Sequence, residues 1–174
     1  MLAITGTPGV GKTSVAEVLR SRGYRVLHLN EIAEHYDCLE EDGEEKLVDL
    51  EALVERFSED DFSADFVEGH LSHHIARRCV VLRCNPVELR RRMEGKGWSE
   101  EKIAENLEAE IIDYILVEAL EVCEEVHEID TTGKTPEEVA DLVEKIFRGE
   151  VSLPPGGIDW IAELGDRIDE FVRR

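Results

Sequence analysis

The chain has 174 residues, and its 41 Asp and Glu residues against 20 Lys and Arg residues give a formal net charge of −21. A body this acidic repels a phosphate backbone at long range, which disfavours strong direct binding to nucleic acid. Hydrophobic residues make up 42 % of the chain and are spread along it, so the composition predicts one folded domain rather than a disordered segment.

Short apolar runs alternate with longer helical ones, a pattern typical of a parallel sheet with crossover helices. The predicted strands cover 2–5, 25–30, 66–67, 79–84 and 126–130. The predicted helices cover 12–22, 86–96, 99–125, 136–148 and a short C-terminal segment at 159–172. A Pro-Pro-Gly-Gly sequence separates the last helix from the rest, which predicts a domain over 1–150 and a helical extension over 151–174.

The longest predicted helix begins after Ser99, whose side chain can cap its N-terminus. Apolar residues recur every four positions along it, at Ile103, Leu107, Ile111 and Ile115. This spacing puts them on one face of the helix, and the simplest interpretation is a buried core stripe.

The most specific motif is the stretch Gly6-Thr7-Pro8-Gly9-Val10-Gly11-Lys12-Thr13, which matches GxxxxGK followed by Ser or Thr. Its glycines let successive backbone N–H groups point at phosphate oxygens, and the helix that follows adds the positive end of its dipole. Lys12 is expected to reach the β- and γ-phosphates, and the Thr13 hydroxyl is expected to bind Mg²⁺. An accidental glycine-rich turn is disfavoured because the motif directly follows an apolar strand and directly precedes a helix.

A basic segment interrupts the acidic chain at Arg90, Arg91, Arg92 and Lys96. Small phosphotransferases cover their nucleotides with mobile flaps that exclude water and carry cations. The segment therefore predicts a short lid at about 90–100. The alternative is a solvated helix face that balances nearby acidic residues.

A second segment of interest runs over 67–74. Glu68 ends a predicted strand, where open α/β sheets bind ligands, and its carboxylate can hold Mg²⁺ through water. His70 is a candidate for positioning an acceptor phosphate or a nucleophile. His70 and His74 are also four residues apart, a spacing that on a helix can bind a metal, although no third ligand of obvious spacing accompanies them. Plain surface histidines are the other interpretation.

No apolar run approaches the length of a membrane span, and the N-terminus lacks the basic region and cleavage site of a signal peptide. These observations predict a cytoplasmic protein with no membrane contact. The cysteines form no CxxC pair and are predicted to be small hydrophobic residues without a metal or redox role; they are Cys38, Cys79, Cys84 and Cys123.

Taken together, the motifs resemble those of a known family, the adenylate kinase isoenzyme 6 proteins of archaea and eukaryotes. The resemblance rests on TGTPGVGKT at 5–13, VEGHLSH at 67–73, VLRCNPVELRRRMEGKGWSEEKIAENLEAEI at 81–111 and DTTGKTPEEV at 130–139. It implies an α/β, three-layer P-loop NTPase fold of the nucleoside-monophosphate-kinase type, with a central five-stranded parallel sheet flanked by helices. It also implies a monophosphate-binding region at about 30–60.

The activity implied by the resemblance is Mg²⁺-dependent transfer of the ATP γ-phosphate to AMP, together with ATPase activity. The implied catalytic residues are Lys12, Arg92, Glu68 and His70. The implied metal ligands are Thr13 and Glu68. The residues implied in ATP binding are Gly9, Val10, Gly11, Lys12, Thr13, Ser14, Arg92, Lys96, Gly133 and Lys134, the last two against the adenine.

Two positions depart from the family pattern. Lys96 stands where eukaryotic relatives have Arg, and a lysine cannot make the bidentate contact of a guanidinium. Glu34 stands where those relatives place an arginine for AMP, and a carboxylate repels a phosphate. Alternatives to AMP kinase activity therefore stay open: a nucleotide-switched ribosome-assembly ATPase with little kinase activity, or a kinase of another nucleotide or small metabolite.

The resemblance further implies a role in maturation of the small ribosomal subunit, through binding of a basic ribosomal protein. The sequence holds twelve acidic residues over 37–61 against only Lys46 and Arg56. Such a field suits a basic partner, and a solvated acidic face is the alternative.

Overall fold

The computed structural model describes residues 1–42, 45–59 and 63–172. Strands within this part of the chain are β1 (Leu2–Thr5), β2 (Val26–His28), β3 (Leu39–Asp42), β4 (Glu45–Val48), β5 (Phe66–Glu68), β6 (Arg78–Arg83) and β7 (Glu125–Asp130). The α-helices are α1 (Lys12–Ser21), α2 (Leu29–His35), α3 (Leu50–Glu59), α4 (Pro86–Gly95), α5 (Glu100–Ile111), α6 (Tyr114–Val122), α7 (Pro136–Phe147) and α8 (Trp160–Leu164). Two 3₁₀ helices cover Ser72–Ile75 and Gly165–Glu170.

The central sheet has five parallel strands in the order β2-β5-β1-β6-β7, which confirms the predicted architecture. Ala3 on β1 pairs with Val67 on β5 and with Cys79 on β6. β1 lies in the middle of the sheet, and the direction in which successive strands are added reverses beside it. The carboxyl ends of β1, β5 and β6 lie together at this point, on the edge of the sheet where such folds bind ligands.

Both faces of the sheet are buried, as expected for parallel strands covered by crossover helices. Alternate residues of β1 separate accordingly: Leu2 and Ile4 pack with α1, α4, α5 and α7, whereas Ala3 packs with α2, α3 and α6. The three layers therefore follow directly from the two-residue period of the strands.

The second predicted strand is too long. β2 ends at His28, and Leu29 begins α2. The His28 ring accepts a hydrogen bond from the Asn30 N–H, and the Glu31 carboxylate accepts one from the His28 N–H, which closes a capping box. This capping box ends β2 at His28, although the next residue, Leu29, is apolar.

The region that follows β2 holds elements that the apolar pattern did not predict. β3 and β4 form an antiparallel hairpin, with Leu39 opposite Val48, and α3 follows directly. Leu53 of α3 is fully buried against the α2 side of the sheet. The predicted monophosphate-binding region at about 30–60 thus contains α2, the hairpin and α3, apart from residues 43, 44 and 60, which lie outside the described part.

The predicted helix over 99–125 is wrong as a single element, because α5 ends at Ile111 and α6 begins at Tyr114. Between them Asp113 has a φ of 59°, a left-handed conformation that stops the helix. Arg83 explains the break, since its guanidinium donates to the Glu110 carbonyl at 3.0 Å and to the Asp113 carboxylate. The apolar stripe is buried as predicted, but Ile115 packs on the opposite side of the sheet from Ile111.

The C-terminal segment is also less regular than predicted. α8 ends at Gly165, whose φ is 52°, and a 3₁₀ helix replaces the rest of the expected helix over 159–172. The segment nevertheless packs firmly, because Trp160, Leu164 and Phe171 are buried in the same core cluster as α1 and α7. These residues make the extension part of the core rather than an appendage.

Two further observations concern the class of protein. Within residues 1–42, 45–59 and 63–172, no helix combines the length and apolarity needed to cross a membrane. The four cysteines carry free thiols, and Cys38, Cys79 and Cys84 are buried among apolar side chains, in keeping with their predicted packing role.

Candidate active site

The P-loop connects β1 to α1 at the ligand-binding edge of the sheet. A Cβ atom on Gly6, whose φ is 137°, would lie 2.4 Å from the Leu82 carbonyl oxygen of β6, so only glycine fits there. Gly11 has a φ of 110° and stands at the N-terminus of α1. The loop therefore bends tightly against the sheet and ends at the N-terminus of α1, the positive end of the helix dipole, where anions such as phosphate bind.

Lys12 lies inside this loop and is 9 % exposed. Its Nζ atom donates to the Gly6 carbonyl at 2.6 Å and to the Thr7 carbonyl at 3.1 Å. Burial lowers the pKa of Lys12 to about 8, and the charges of Glu68 and Glu110 oppose that shift. The ammonium group is held by the loop carbonyls alone, so it is placed to exchange them for phosphate oxygens.

A cavity of about 510 Å³ opens between the P-loop, α4 and the start of α7, and we call it the lid cavity. It is lined by Gly9, Val10, Gly11, Ser14, Val15, Arg91, Arg92, Gly95, Lys96, Thr131, Lys134, Pro136 and Val139. Apolar side chains form one wall and four cationic side chains the other. Such a mixture suits a nucleoside with attached phosphates.

Arg92 belongs to the predicted lid, but it is fastened to the P-loop. Its guanidinium donates to the Val10 carbonyl at 2.9 Å and to the Thr131 carbonyl at 3.3 Å, and it pairs with the Glu88 carboxylate. Gly133 does not line the cavity; its N–H donates to Glu88 at 3.1 Å instead. Arg92 thus joins α4, the P-loop and the loop after β7.

A second cavity of about 230 Å³ lies on the other side of the P-loop, and we call it the Glu68 cavity. Its lining residues are Pro8, Gly9, Gly11, Lys12, Thr13, Ser14, His28, Glu68, Gly69, His70, Lys96 and Trp98. Gly9, Gly11, Ser14 and Lys96 line both cavities. The two cavities therefore meet at the P-loop and at one lysine of the predicted lid.

Glu68 ends β5 and is 1 % exposed. The His28 Nε2 atom lies 3.6 Å from its carboxylate, beyond hydrogen-bond distance, and Thr13 lines the same cavity. A buried carboxylate next to a hydroxyl is a donor set of oxygen atoms that suits Mg²⁺. The extra methylene of Glu relative to Asp does not prevent the residue from reaching the P-loop side, since its charge acts on Lys12.

His70 lies at the mouth of the Glu68 cavity, in the turn after β5. Desolvation by the cavity wall lowers its pKa to about 4, and the charges of Lys12 and His28 lower it further. The imidazole is therefore neutral at physiological pH. The alternative of a helical metal-binding pair at His70 and His74 is not met, because the 3₁₀ helix spans Ser72–Ile75 and leaves His70 outside it.

A buried polar network that was not predicted from the sequence lies beneath the P-loop. The Glu110 carboxylate accepts hydrogen bonds from Thr7 at 2.6 Å, from Arg83 at 2.8 Å and from the Trp160 indole at 2.9 Å. Arg83 is 1 % exposed and also pairs with Glu128 at 2.7 Å. The network links the P-loop to the C-terminal segment, and its only sequence signal was charged residues within apolar stretches.

His28 and Trp98 also line the Glu68 cavity and were missed as site residues. The sequence predicts that His28 lies inside the second strand and that Trp98 belongs to the lid, and it indicates no binding role for either residue. The ring of Trp98 lies 5.6 Å from the Lys96 ammonium and 5.4 Å from that of Lys102. An aromatic ring between two lysines positions them by cation–π attraction.

Comparison with known proteins gives the family. A model described as an AAA domain matches residues 2–113. A protein named "Putative adenylate kinase" from Archaeoglobus fulgidus is 54 % identical over 181 residues, covering 100 % of this chain and 99 % of that protein. The chain belongs to this archaeal family. Proteins of the same name from Methanothermobacter thermautotrophicus and Thermococcus kodakarensis are 46 % and 41 % identical and cover 92 % and 99 % of the chain, respectively, and 96 % and 99 % of their own lengths.

Solved structures confirm the fold. Shikimate kinase from Acinetobacter baumannii superposes with a TM-score of 0.55 at 15 % identity, covering 85 % of this chain and 92 % of that one. An uncharacterized protein from Eubacterium ventriosum gives the same TM-score at 14 % identity, covering 85 % of this chain and 97 % of its own. Family membership and this kinase fold together support nucleotide kinase activity.

Proposed function

We propose that this protein is an adenylate kinase, which transfers the γ-phosphate of ATP to AMP in the presence of Mg²⁺ and forms two ADP. The observation that carries the proposal is the meeting of the two cavities at the P-loop. A donor in the lid cavity and an acceptor in the Glu68 cavity would approach each other across Gly9, Gly11 and Lys96. Placement of both reactants on one rigid loop is the main requirement of phosphoryl transfer.

On the donor side, the P-loop N–H groups and the N-terminus of α1 bind the phosphates, and Lys12 moves from the loop carbonyls to the transferring group. Lys96 lines both cavities and so contributes positive charge at their junction. Arg92 orients the loop through the Val10 carbonyl and lines the lid cavity. Lys134 and Val139 stand at the end where the base binds.

On the acceptor side, Thr13 and Glu68 are the residues that would hold Mg²⁺. The ion supplies neutralisation of the charge on the phosphate oxygens. The neutral His70 imidazole at the cavity mouth accepts or donates a hydrogen bond without adding charge, which suits positioning of an acceptor phosphate. The enzyme's contribution is therefore orientation and electrostatics rather than covalent chemistry.

One observation favours a second candidate function, ATP hydrolysis without an efficient acceptor. Among the described residues, no arginine lines the Glu68 cavity, and its cations are Lys12 and Lys96. Glu34, at the position where an arginine is expected for AMP, is exposed on α2. Water would then be the acceptor, and hydrolysis would time the release of a bound partner.

Rates of ADP formation from ATP and Mg²⁺ distinguish the two functions. We expect addition of AMP to raise the rate far above the ATP-only rate, and the other nucleoside monophosphates and small metabolites to raise it less. A rate indifferent to AMP would contradict kinase activity and support the ATPase. Chelation of Mg²⁺ should abolish both rates, and the exposed Lys145→Ala variant on α7 should leave both unchanged.

A partner of basic character, such as a ribosomal protein of the small subunit, is part of the proposal. Glu51, Glu55 and Glu59 are exposed and lie at four-residue intervals, so they share one face of α3. Their triple replacement by Gln should reduce capture of purified basic small-subunit ribosomal proteins. The matched control replaces Glu137, Asp141 and Glu17 by amides, and equal capture by both variants would contradict a docking role for α3.

A further inference from the structure

A second polar cluster lies away from both cavities, on the opposite side of β1 from the lid. It joins the 3₁₀ helix over Ser72–Ile75 to α6 and consists of His73, His74 and Glu118. One nitrogen of each imidazole and one oxygen of the carboxylate lie within 4.8 Å of one another. None of these three residues lines the lid cavity or the Glu68 cavity.

Each of the three groups has a buried polar atom without a hydrogen-bond partner in the described structure: Nε2 of His73, Nε2 of His74 and Oε2 of Glu118. His73 as a residue is fully buried. A buried polar atom without a partner costs about 1–3 kcal/mol. Three such atoms converging on one point indicate that something binds between them.

One nitrogen of His73 already has a polar neighbour. Its Nδ1 atom lies 2.9 Å from the Thr5 hydroxyl oxygen, which is also 3.2 Å from the His70 carbonyl oxygen. When the Thr5 hydroxyl donates to that carbonyl, Nδ1 of His73 donates to the hydroxyl oxygen and a lone pair is left on Nε2. In that tautomer the lone pair lies 3.6 Å from a Glu118 carboxylate oxygen, and both atoms can bind a cation that lies between them.

The dimensions suit zinc. Ligand atoms about 2.0–2.1 Å from a tetrahedral Zn²⁺ lie roughly 3.4 Å apart, close to the 3.6 Å between Nε2 of His73 and Oε2 of Glu118. Two nitrogens and one carboxylate oxygen are a donor set typical of zinc rather than of Mg²⁺ or Ca²⁺. Glu118 is about a quarter exposed on its side chain, which gives an entry path and room for a water ligand.

An outer contact orients one of the three ligands, because Nδ1 of His73 lies 2.9 Å from the Thr5 hydroxyl oxygen. Ligands of structural and catalytic metal sites are commonly held in this way. Cys123 does not belong to the donor set, because its Sγ atom donates to the backbone carbonyls of His73 and Ala76.

The geometry points to a zinc site formed by His73, His74 and Glu118, with water as the fourth ligand. The site joins the segment after Glu68 to α6. Through Thr5, the last residue of β1, it also braces the strand that leads into the P-loop. It is a site separate from the Mg²⁺ site at Thr13 and Glu68, and it does not depend on the proposed kinase reaction.

Zinc binding to the intact protein tests this inference. Protein stripped with a chelator is dialysed against Zn²⁺ in excess Mg²⁺, and bound zinc is measured together with the melting temperature. We expect about one zinc ion per chain and a higher melting temperature with zinc. His74→Ala and Glu118→Gln should each weaken zinc binding by at least about tenfold and abolish the zinc-dependent stabilisation. These two residues are chosen because His73 also supports the fold through Thr5.

Three matched variants make the result decisive. Glu121→Gln, one turn along α6 and exposed, and His35→Ala, exposed at the end of α2, should bind zinc as the wild type does. Glu68→Gln should also retain zinc, because it alters only the other site. Zinc lost in Glu68→Gln but kept in His74→Ala, or binding equal in all variants, would overturn the assignment. Co²⁺ should give the strong visible absorption of a tetrahedral ion, and a weak six-coordinate spectrum would contradict the site.

Discussion

The lid cavity and the Glu68 cavity differ in what holds their charges in place. The lid cavity has about 510 Å³ of space, and three of its cations lie on α4 or directly after it, where Arg92 is bonded to the P-loop backbone. The Glu68 cavity has about 230 Å³, and its titratable residues come from the ends of β2 and β5, the turn after β5, the P-loop and the lid. The two pockets share the P-loop and differ in what completes it: α4, the loop after β7 and α7 in the lid cavity, and mainly individual side chains from the ends of β2 and β5 in the Glu68 cavity.

The donor half and the acceptor half of the proposed reaction therefore differ in how strictly they require particular side chains. Backbone N–H groups and a helix dipole bind phosphate whatever the surrounding side chains are. The acceptor side depends on individual side chains, and two of these, Glu68 and His70, carry a carboxylate and a neutral ring rather than positive charge. We therefore expect ATP binding to tolerate changes that alter the choice of acceptor.

The largest effect is expected from the lysine of the P-loop. Lys12→Ala should lower the rate of ADP formation by roughly 10²–10³-fold, because one preorganised donor to the transferring group is lost. The fold should persist in circular dichroism, since the hydrogen bonds of Lys12 go to carbonyls of its own loop. Near-normal turnover, with Lys145→Ala as the reference, would contradict the proposed role.

The second effect concerns stability in the absence of nucleotide. Burial lowers the pKa of Lys12 from 10.5 to about 8. Below pH 8 the folded chain carries a buried charge that the unfolded chain keeps in water. Between pH 8 and 10.5 the unfolded chain binds more protons, so the free energy of unfolding should rise with pH by roughly 3 kcal/mol from this residue.

Urea unfolding from neutral pH to pH 10.5 measures this rise. Lys12→Met removes the titrating group and should remove most of the rise, whereas Lys145→Met on the exposed face of α7 should retain it. An equal pH dependence in wild type and Lys12→Met would show that other groups dominate.

A smaller effect should sharpen the acceptor side. Glu34→Arg replaces a carboxylate by the cation expected for a monophosphate, and it should lower the KM for AMP by about tenfold, or roughly 1.4 kcal/mol, with little change in the KM for ATP. Glu17→Arg makes the same charge change at an exposed position of α1, and it should leave the KM for AMP and the KM for ATP unaltered. Equal changes in the two variants would indicate a general effect of net charge.

The smallest effect is expected from salt. With a net charge of −21, the chain repels itself at low ionic strength, and salt shortens the screening length from about 30 Å at 0.01 M to about 3 Å at 1 M. The melting temperature should therefore rise by a few degrees with added salt. A melting temperature that does not respond would indicate that the ion pairs of the surface already offset the repulsion.

The sequence predicted the elements whose signals are local. The P-loop and the start of its helix could be read from eight consecutive residues, whereas the order of the five strands depends on long-range packing and was not predicted. The break at Asp113 could not be read, because the apolar period continues through it and its cause is Arg83, thirty residues away. The hairpin β3–β4 carries few apolar residues and gave little periodicity to detect, but α3 has Leu50, Leu53, Val54 and Phe57 at helical spacing, a signal that was missed among the acidic residues.

The residues of the candidate site also separate into those with a local sequence signal and those without one. Lys12, Thr13, Glu68 and His70 were found from motifs, whereas His28 and Trp98 enter the Glu68 cavity only through folding. The cluster with Glu118 illustrates the limit best. The spacing of the histidines suggested only an alternative with His70 and His74, and it could not reveal the third group, which lies 45 positions beyond His73.

The chain contains two tryptophans, and they lie at different positions relative to the two proposed nucleotide sites. Trp98 stands in the wall of the Glu68 cavity, while Trp160 donates to Glu110, which in turn accepts from Thr7 of the P-loop. Intrinsic fluorescence can therefore separate the two binding events without any label: a protein that keeps only Trp98 reports the acceptor, and one that keeps only Trp160 reports the donor through a buried carboxylate.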